Sequence, residues 1–223
     1  MIKTHLDFLI QIGDNEQGYV GTNLQQWANF VLPNNKIKSI SNRRYNRYEL
    51  LEFCNNKSND NLSVLIAILA WGGMNRKHGK LLLKNPNPVL QIVENLRSSQ
   101  YATRKVAFDD LKCKRDNGEL PGLGIGYFTK LICFLAPNLN GYIMDQWVSK
   151  SINLLTGQKV VFLSNGWVND RNNGNNYEAF CQKIDELAKA LKCNGFEAEK
   201  RIFSIGRGKG VWRNYIKAKY KKD

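Results

Sequence analysis

At 223 residues the chain is long enough to bury a proper hydrophobic core, in one large helical domain or two small ones, without covalent staples. Its 33 Lys and Arg against 19 Asp and Glu leave a net charge of +14, a positive field whose natural partner is a polyanion. The 43% apolar fraction excludes a disordered basic tail, while composition alone leaves DNA, RNA and anionic membrane surfaces open.

Residues 1–13 include Asp7 and lack the basic start, long apolar run and small-residue cleavage site of a signal peptide. No apolar stretch approaches membrane-spanning length, so a cytoplasmic protein with no membrane partner is expected. Up to about residue 60, short apolar clusters at 6–12 and 27–32 alternate with polar breaks at Asn34-Asn35 and 55–61, which reads as short helices and loops. Within them, Arg43-Arg44-Tyr45-Asn46-Arg47-Tyr48 interleaves cations with tyrosines. It is either a grip on phosphates and bases or a solvated helix start. Residues 62–71 are apolar on nearly every side, which predicts a helix buried among others and ended by Gly72 and Gly73. Pro86 and Pro88 introduce a helix over 89–96, and Phe108 with Leu111 marks a short one after it.

Asn117-Gly118-Glu119 is a break. A helical stripe at Phe128, Leu131, Ile132 and Leu135 then runs from Gly124 to Ala136, closed by Pro137. Asp145 stands where an N-cap serves best, before a second stripe at Val148, Ile152 and Leu155 that Gly157 stops. The Asn- and Gly-rich segment near 158–176 is read as either a small hairpin or an irregular insertion. Phe180, Ile184, Leu187 and Leu191 follow at helical spacing, with Asn194-Gly195 as a C-cap and a last core helix over 196–205. The tail from Gly206 is strongly basic. Around Arg207, Lys209, Arg213, Lys217, Lys219, Lys221 and Lys222 it either extends a phosphate-binding track, with Trp212 and Tyr215 as stacking faces, or is a solvated end. Five scattered cysteines, never spaced C-x-x-C, read as free thiols, and neither zinc nor an iron-sulfur cluster is expected. The elements sum to a mainly α protein, with residues 1–60 as an N-terminal helical segment packed on a core formed by residues 61–223.

In Leu120-Pro121-Gly122-Leu123-Gly124 two glycines free the backbone for a tight turn whose amides open the next helix, a geometry that binds phosphate. Leu120 and Leu123 would anchor it. A monovalent cation between turn and backbone oxygen is the one cofactor envisaged. Taken alone, a G-x-G of this kind is equally a helix-capping turn.

That turn, the apolar helix after it and Tyr142-Ile143-Met144-Asp145-Gln146-Trp147-Val148 together resemble the helix-hairpin-helix base-excision DNA glycosylases. Their signature is an L-P-G-hydrophobic-G hairpin followed some twenty residues later by an aspartate that opens the next helix. Asp145 lies twenty-one residues after Gly124, a separation similar to that of the 8-oxoguanine DNA glycosylase branch. The close likeness covers about 120–155 and extends more weakly to 62–206. The resemblance implies a helical bundle of that type, a double-stranded DNA partner, a monomer, and excision of a damaged or modified base, an oxidised purine first. It implies Asp145 as the catalytic carboxylate, because rupture of an N-glycosidic bond builds positive charge on the sugar.

One position departs from the lysine-bearing members of this family: two residues past the second hairpin glycine stands Gly126, which has no side chain. Lys130, one turn later on the same helix face, is then the candidate amine for Schiff-base chemistry, in a setting of Leu131 and Phe134 that would lower its pKa. A solvated or phosphate-binding lysine is the competing reading. A non-catalytic DNA-binding protein that kept the hairpin is the alternative function. Leu120, Gly122, Gly124 and Gly126 are expected at the DNA backbone with Arg76 and Lys77. Because a base must leave the stack to be reached, Met74 or Asn75 would fill the gap, with Trp71, Phe134 and Trp147 as pocket walls or core aromatics.

Overall fold

The structure, a computed structural model, describes residues 1–13, 18–32, 40–205 and 209–220. Asn34-Asn35 and the tail residues Gly206, Arg207, Lys221 and Lys222 lie outside the described residues. Among those described there are twelve α-helices, one 3-10 turn and one two-stranded antiparallel hairpin, a mainly α architecture as expected. They divide into two compact units, Met1–Tyr19 with Asn140–Asp223, and Val20–Leu139.

In the Val20–Leu139 unit the centre is α4 (Asn61–Trp71), buried from Ser63 to Trp71 because it is apolar all round. Asp60 caps it, accepting from the Ser63 amide at 2.9 Å and the Ser63 hydroxyl at 2.6 Å. Around it pack α2 (Leu24–Val31), α3 (Arg47–Asn55), α6 (Asn87–Arg97) and α8 (Ile125–Leu135), while α5 (Arg76–Leu82) lies on α2 and α7 (Arg104–Asp116) on α8. In the basic-aromatic run, Asn46 and Glu49 form a capping box for α3, and Tyr45 and Arg47 turn inward. α7 is longer than its two apolar markers suggest. A Thr103 cap and the i,i+4 pairs Lys105–Asp109 at 2.7 Å and Lys112–Asp116 at 3.0 Å sustain it on the surface.

In the other unit α9 (Gln146–Thr156) packs against α1 (Lys3–Ile12), α10 (Gly174–Leu191), α11 (Gly195–Phe203) and α12 (Val211–Lys219). The insertion is a hairpin, β1 (Leu163–Ser164) and β2 (Trp167–Val168), turned by Asn165 and Gly166, both at positive φ. Two expectations fail here. Asn194 does not end α10, which closes on left-handed Lys192; it caps α11 through the Glu197 amide. Gly195 is required because a Cβ there would lie 1.9 Å from the Tyr142 hydroxyl oxygen. The basic tail is a packed helix where described. Trp212, Arg213 and Ile216 of α12 are buried, and the Trp212 indole donates to Ser151 Oγ at 3.0 Å, so Trp212 offers no stacking face.

Candidate active site

Leu120-Pro121-Gly122-Leu123 closes as a four-residue turn, with the Leu123 amide donating to the Leu120 carbonyl at 3.2 Å. Proline in its second place and Gly122 at φ 79° in its third suit a type II turn. Leu120 and Leu123 are buried and anchor it. The two glycines have different jobs. A Cβ on Gly122 would meet Cβ, Cα and the carbonyl oxygen of His78 at 3.0–3.2 Å, so this residue lets the turn lie against α5. Gly124 has nothing within 4 Å of its Cβ position and caps α8 without a side chain. Its carbonyl accepts from Tyr127 and Phe128. Among the described residues the amides of Gly124, Ile125 and Gly126 donate to no backbone or side-chain acceptor, so the start of α8 presents open N–H groups and the positive end of its dipole.

Lys130 is 8% exposed, and its Nζ turns back one helical turn to donate to the Gly126 carbonyl at 3.0 Å. The ammonium therefore rests on the backbone of residue 126. It lies 5.0 Å from the centre of the Tyr127 ring, whose hydroxyl donates to the Gly72 carbonyl at 3.1 Å. A Cβ on Gly72 would fall 2.8 Å from Tyr127 Cε1 and 3.0–3.1 Å from Lys130 Cδ and Cε. Gly72, read from sequence only as a helix stop, is also what admits the lysine stem. Burial pushes the neighbouring Cys133 thiol above its ordinary value against the pull of the Arg47 and Lys130 cations, so no thiolate competes there.

The segment after α4 splits between core and surface. Trp71 and Phe134 are buried against each other, ring centres 5.1 Å apart and edge to face, as core aromatics. Met74 is buried as well, and its carbonyl accepts from the Trp27 indole at 2.9 Å. Withdrawing its side chain toward a gap in DNA would open the core. Asn75 is exposed and caps α5 through the Lys77 amide at 2.8 Å. Arg76 and Lys77 are exposed, with Arg76 and Lys80 4.7 and 4.4 Å from the ring centre of Phe30.

In the other unit Asp145 Oδ1 accepts from the Trp147 amide at 2.8 Å and the Val148 amide at 2.9 Å, fixing the carboxylate at the head of α9. Among the described residues its second oxygen accepts no hydrogen bond, and the side chain is half-buried. A carboxylate held rigidly by one oxygen with the other available can stabilise a developing positive charge without reorganising. Trp147 is half-buried between two cations, Lys150 at 4.3 Å and Arg213 at 4.2 Å from the ring centre. Arg213 itself donates to the Phe203 carbonyl. This sandwich was not legible from spacing, because Arg213 is sixty-six residues away in sequence.

Among the described residues no group of three or more His, Cys, Asp or Glu could hold a metal ion, and no helix is long and apolar enough to cross a membrane. No curated protein and no solved structure matches the chain. The model of the family described as "Putative 8-oxoguanine DNA glycosylase OGG-like protein" matches residues 15–203, most of the sequence, and the chain accordingly belongs to that OGG-like family.

Proposed function

We propose that the protein excises an oxidised purine, 8-oxoguanine first, from double-stranded DNA, with Asp145 as the catalytic carboxylate. The observation that carries this reading is the Asp145 carboxylate, immobilised through one oxygen by two amides and with its other oxygen accepting no bond among the described residues. As the bond between C1′ and the base breaks, its electron pair leaves with the base and the sugar takes on oxocarbenium character. The carboxylate opposes that charge. The open start of α8, with exposed Arg76 and Lys77, holds the DNA backbone, and a monovalent cation at the turn is compatible with that role.

Lys130 is the candidate for associated lyase activity. Its amine, once neutral, would form a bond to C1′ as the base leaves. Opening of the sugar ring then gives a Schiff base, and loss of a proton from C2′ expels the 3′-phosphate. The bond from Lys130 Nζ to the Gly126 carbonyl supports this reading over that of a solvated lysine, because it keeps the amine out of bulk water and against the backbone of residue 126.

The test is to incubate the protein with duplexes bearing different oxidised bases, with and without alkali. Base release revealed only by alkali means a monofunctional enzyme; strand cleavage without alkali means lyase activity. Borohydride should trap a covalent adduct in the wild type and not in Lys130→Ala or Lys130→Gln. Trapping that persists in both variants assigns the amine elsewhere. No release from any duplex, with DNA binding intact, would leave a non-catalytic DNA-binding protein.

A further inference from the structure

Five tryptophans are present, and their surroundings divide them sharply. Trp27, Trp71 and Trp212 are buried and Trp147 lies under two cations, whereas Trp167 is 65% exposed, the most exposed large hydrophobic side chain among the described residues. An indole left in water contributes nothing to the core. It is nevertheless held on a rigid support. Trp167 pairs with Ser164 on the outer face of the hairpin, while Leu163 and Val168 turn the other way.

The hairpin base is locked by buried Asn172, which accepts from the Phe162 amide at 2.9 Å and donates to the Phe162 carbonyl at 2.8 Å. Asn153 of α9 braces the preceding residue through both Val161 backbone groups, at 2.8 and 3.0 Å. At the tip, the Gln146 carboxamide lies 3.2 Å from both the Gly166 carbonyl oxygen and the Trp147 indole nitrogen, so that with its amide nitrogen turned to Gly166 it donates to the first and accepts from the second. Lys150 Nζ lies 3.1 Å from the Cβ position of Gly166. Gln146 is the residue after Asp145, so these contacts tie the residue beside Trp167 to the first turn of the helix that carries the carboxylate.

We infer that Trp167 stacks on an unpaired nucleobase of the bound DNA, next to the nucleotide served by Asp145. The inference rests on the glycosylase reading for its substrate. An indole offers a π face to any base, but only a base out of the helical stack has a face to return. The setting suits a nucleic acid better than an apolar protein surface. Lys150 stands at the hairpin tip and Arg171 on the Phe162 ring at its base, with carboxylates at Asp170 and Asp145, on a chain of net charge +14. Because the support is rigid, little conformational entropy remains to be lost when the base docks.

The test measures binding of the full chain to a duplex carrying a single-base bulge and to the same duplex fully paired. Tryptophan fluorescence is followed in parallel, since Trp167 is the residue a quencher reaches first. Trp167→Ala should weaken binding to the bulged duplex about tenfold. Binding to the paired duplex should be unchanged, because backbone contacts carry it. Trp167→Phe should keep most of the affinity, which a defect in folding would not predict. Equal binding of the bulged duplex by wild type and Trp167→Ala overturns the inference, and base release by the same wild-type sample would show that the glycosylase reading survives it. Loss of bulge binding in Trp167→Ala with no base release from any lesion would sustain the stacking contact and overturn the enzymatic reading. Failure of the wild type to bind either duplex overturns both.

Discussion

Helices α8 and α9 start twenty-one residues apart in the sequence, at Ile125 and Gln146, and they are opened in opposite ways. Gly124 caps the first with no side chain, leaving three amides and the positive end of the dipole unanswered. Asp145 caps the second with a carboxylate that answers two amides itself. A helix start that is already neutralised has little pull left for a phosphate, but it immobilises a negative charge. One left bare fixes nothing and attracts an anion. The two ends are therefore suited to different tasks, the bare one to a phosphate and the filled one to a cationic transition state.

The sharpest way to break that division is Asp145→Asn. Asparagine caps as well as aspartate does, so folding stability should change by less than about 0.5 kcal/mol. Base release should fall about 10²- to 10³-fold while DNA affinity holds or rises. Full release by this variant would reduce Asp145 to a cap. At the bare end, Gly124→Leu should weaken damaged and undamaged duplex alike, about tenfold, in an equilibrium binding assay of the folded variant, since it crowds the amides at a position where a Cβ meets nothing within 4 Å, while the poorer cap lowers stability by about 1 kcal/mol. Unchanged affinity, or affinity that does not fall steeply with added salt, would remove the turn from the interface.

Gly122 sharpens the comparison from the other side. Its φ of 79° and the backbone of His78 make Gly122→Ala a folding defect, about 1–3 kcal/mol by thermal denaturation, with lost DNA binding following stability. A Gly122→Ala protein as stable as wild type would show that the turn is not held against α5.

The smallest effect belongs to Asp60, a cap with no proposed chemistry. Burial pushes its carboxyl up, yet the hydrogen bonds from Ser63 and neighbouring amides outweigh this and leave it below the ordinary value. With the folded value depressed, its contribution is present above the unfolded pKa and is lost as pH falls through the folded one. Asp60→Ala should cost about 1 kcal/mol near neutral pH, flatten the acid side of the stability curve, and leave base release per folded molecule unchanged. A loss of base release like that of Asp145→Asn would mean that capping alone explains both residues.

Much of this was legible in the residues themselves. Asp145 before a helical stripe, the turn at 120–124 and the all-apolar α4 depend on local rules of capping, φ freedom and periodicity, and each stands where those rules put it. The setting of Lys130 was legible only in part. Spacing put Lys130 on the same face as Gly126, but not the bond back to the Gly126 carbonyl or the dependence on Gly72, which arrives from α4. The burial of Met74 was not legible for a related reason. A methionine after a glycine pair has the composition of a surface loop, and the Trp27 indole that donates to its carbonyl comes from α2, more than forty residues earlier.

Helix starts, stops and the hairpin turn were determined by the sequence itself, because caps, glycines at positive φ and hydrophobic periods act over three or four residues. Tertiary structure alone decided which glycine of the turn is a packing residue and which stays open, that α12 buries its tryptophan, and that Trp167 faces solvent on a braced hairpin. The same residue type can serve core or surface. Only the approach of elements distant in sequence settles which, because burial is a property of the neighbours that three-dimensional packing supplies and not of the side chain.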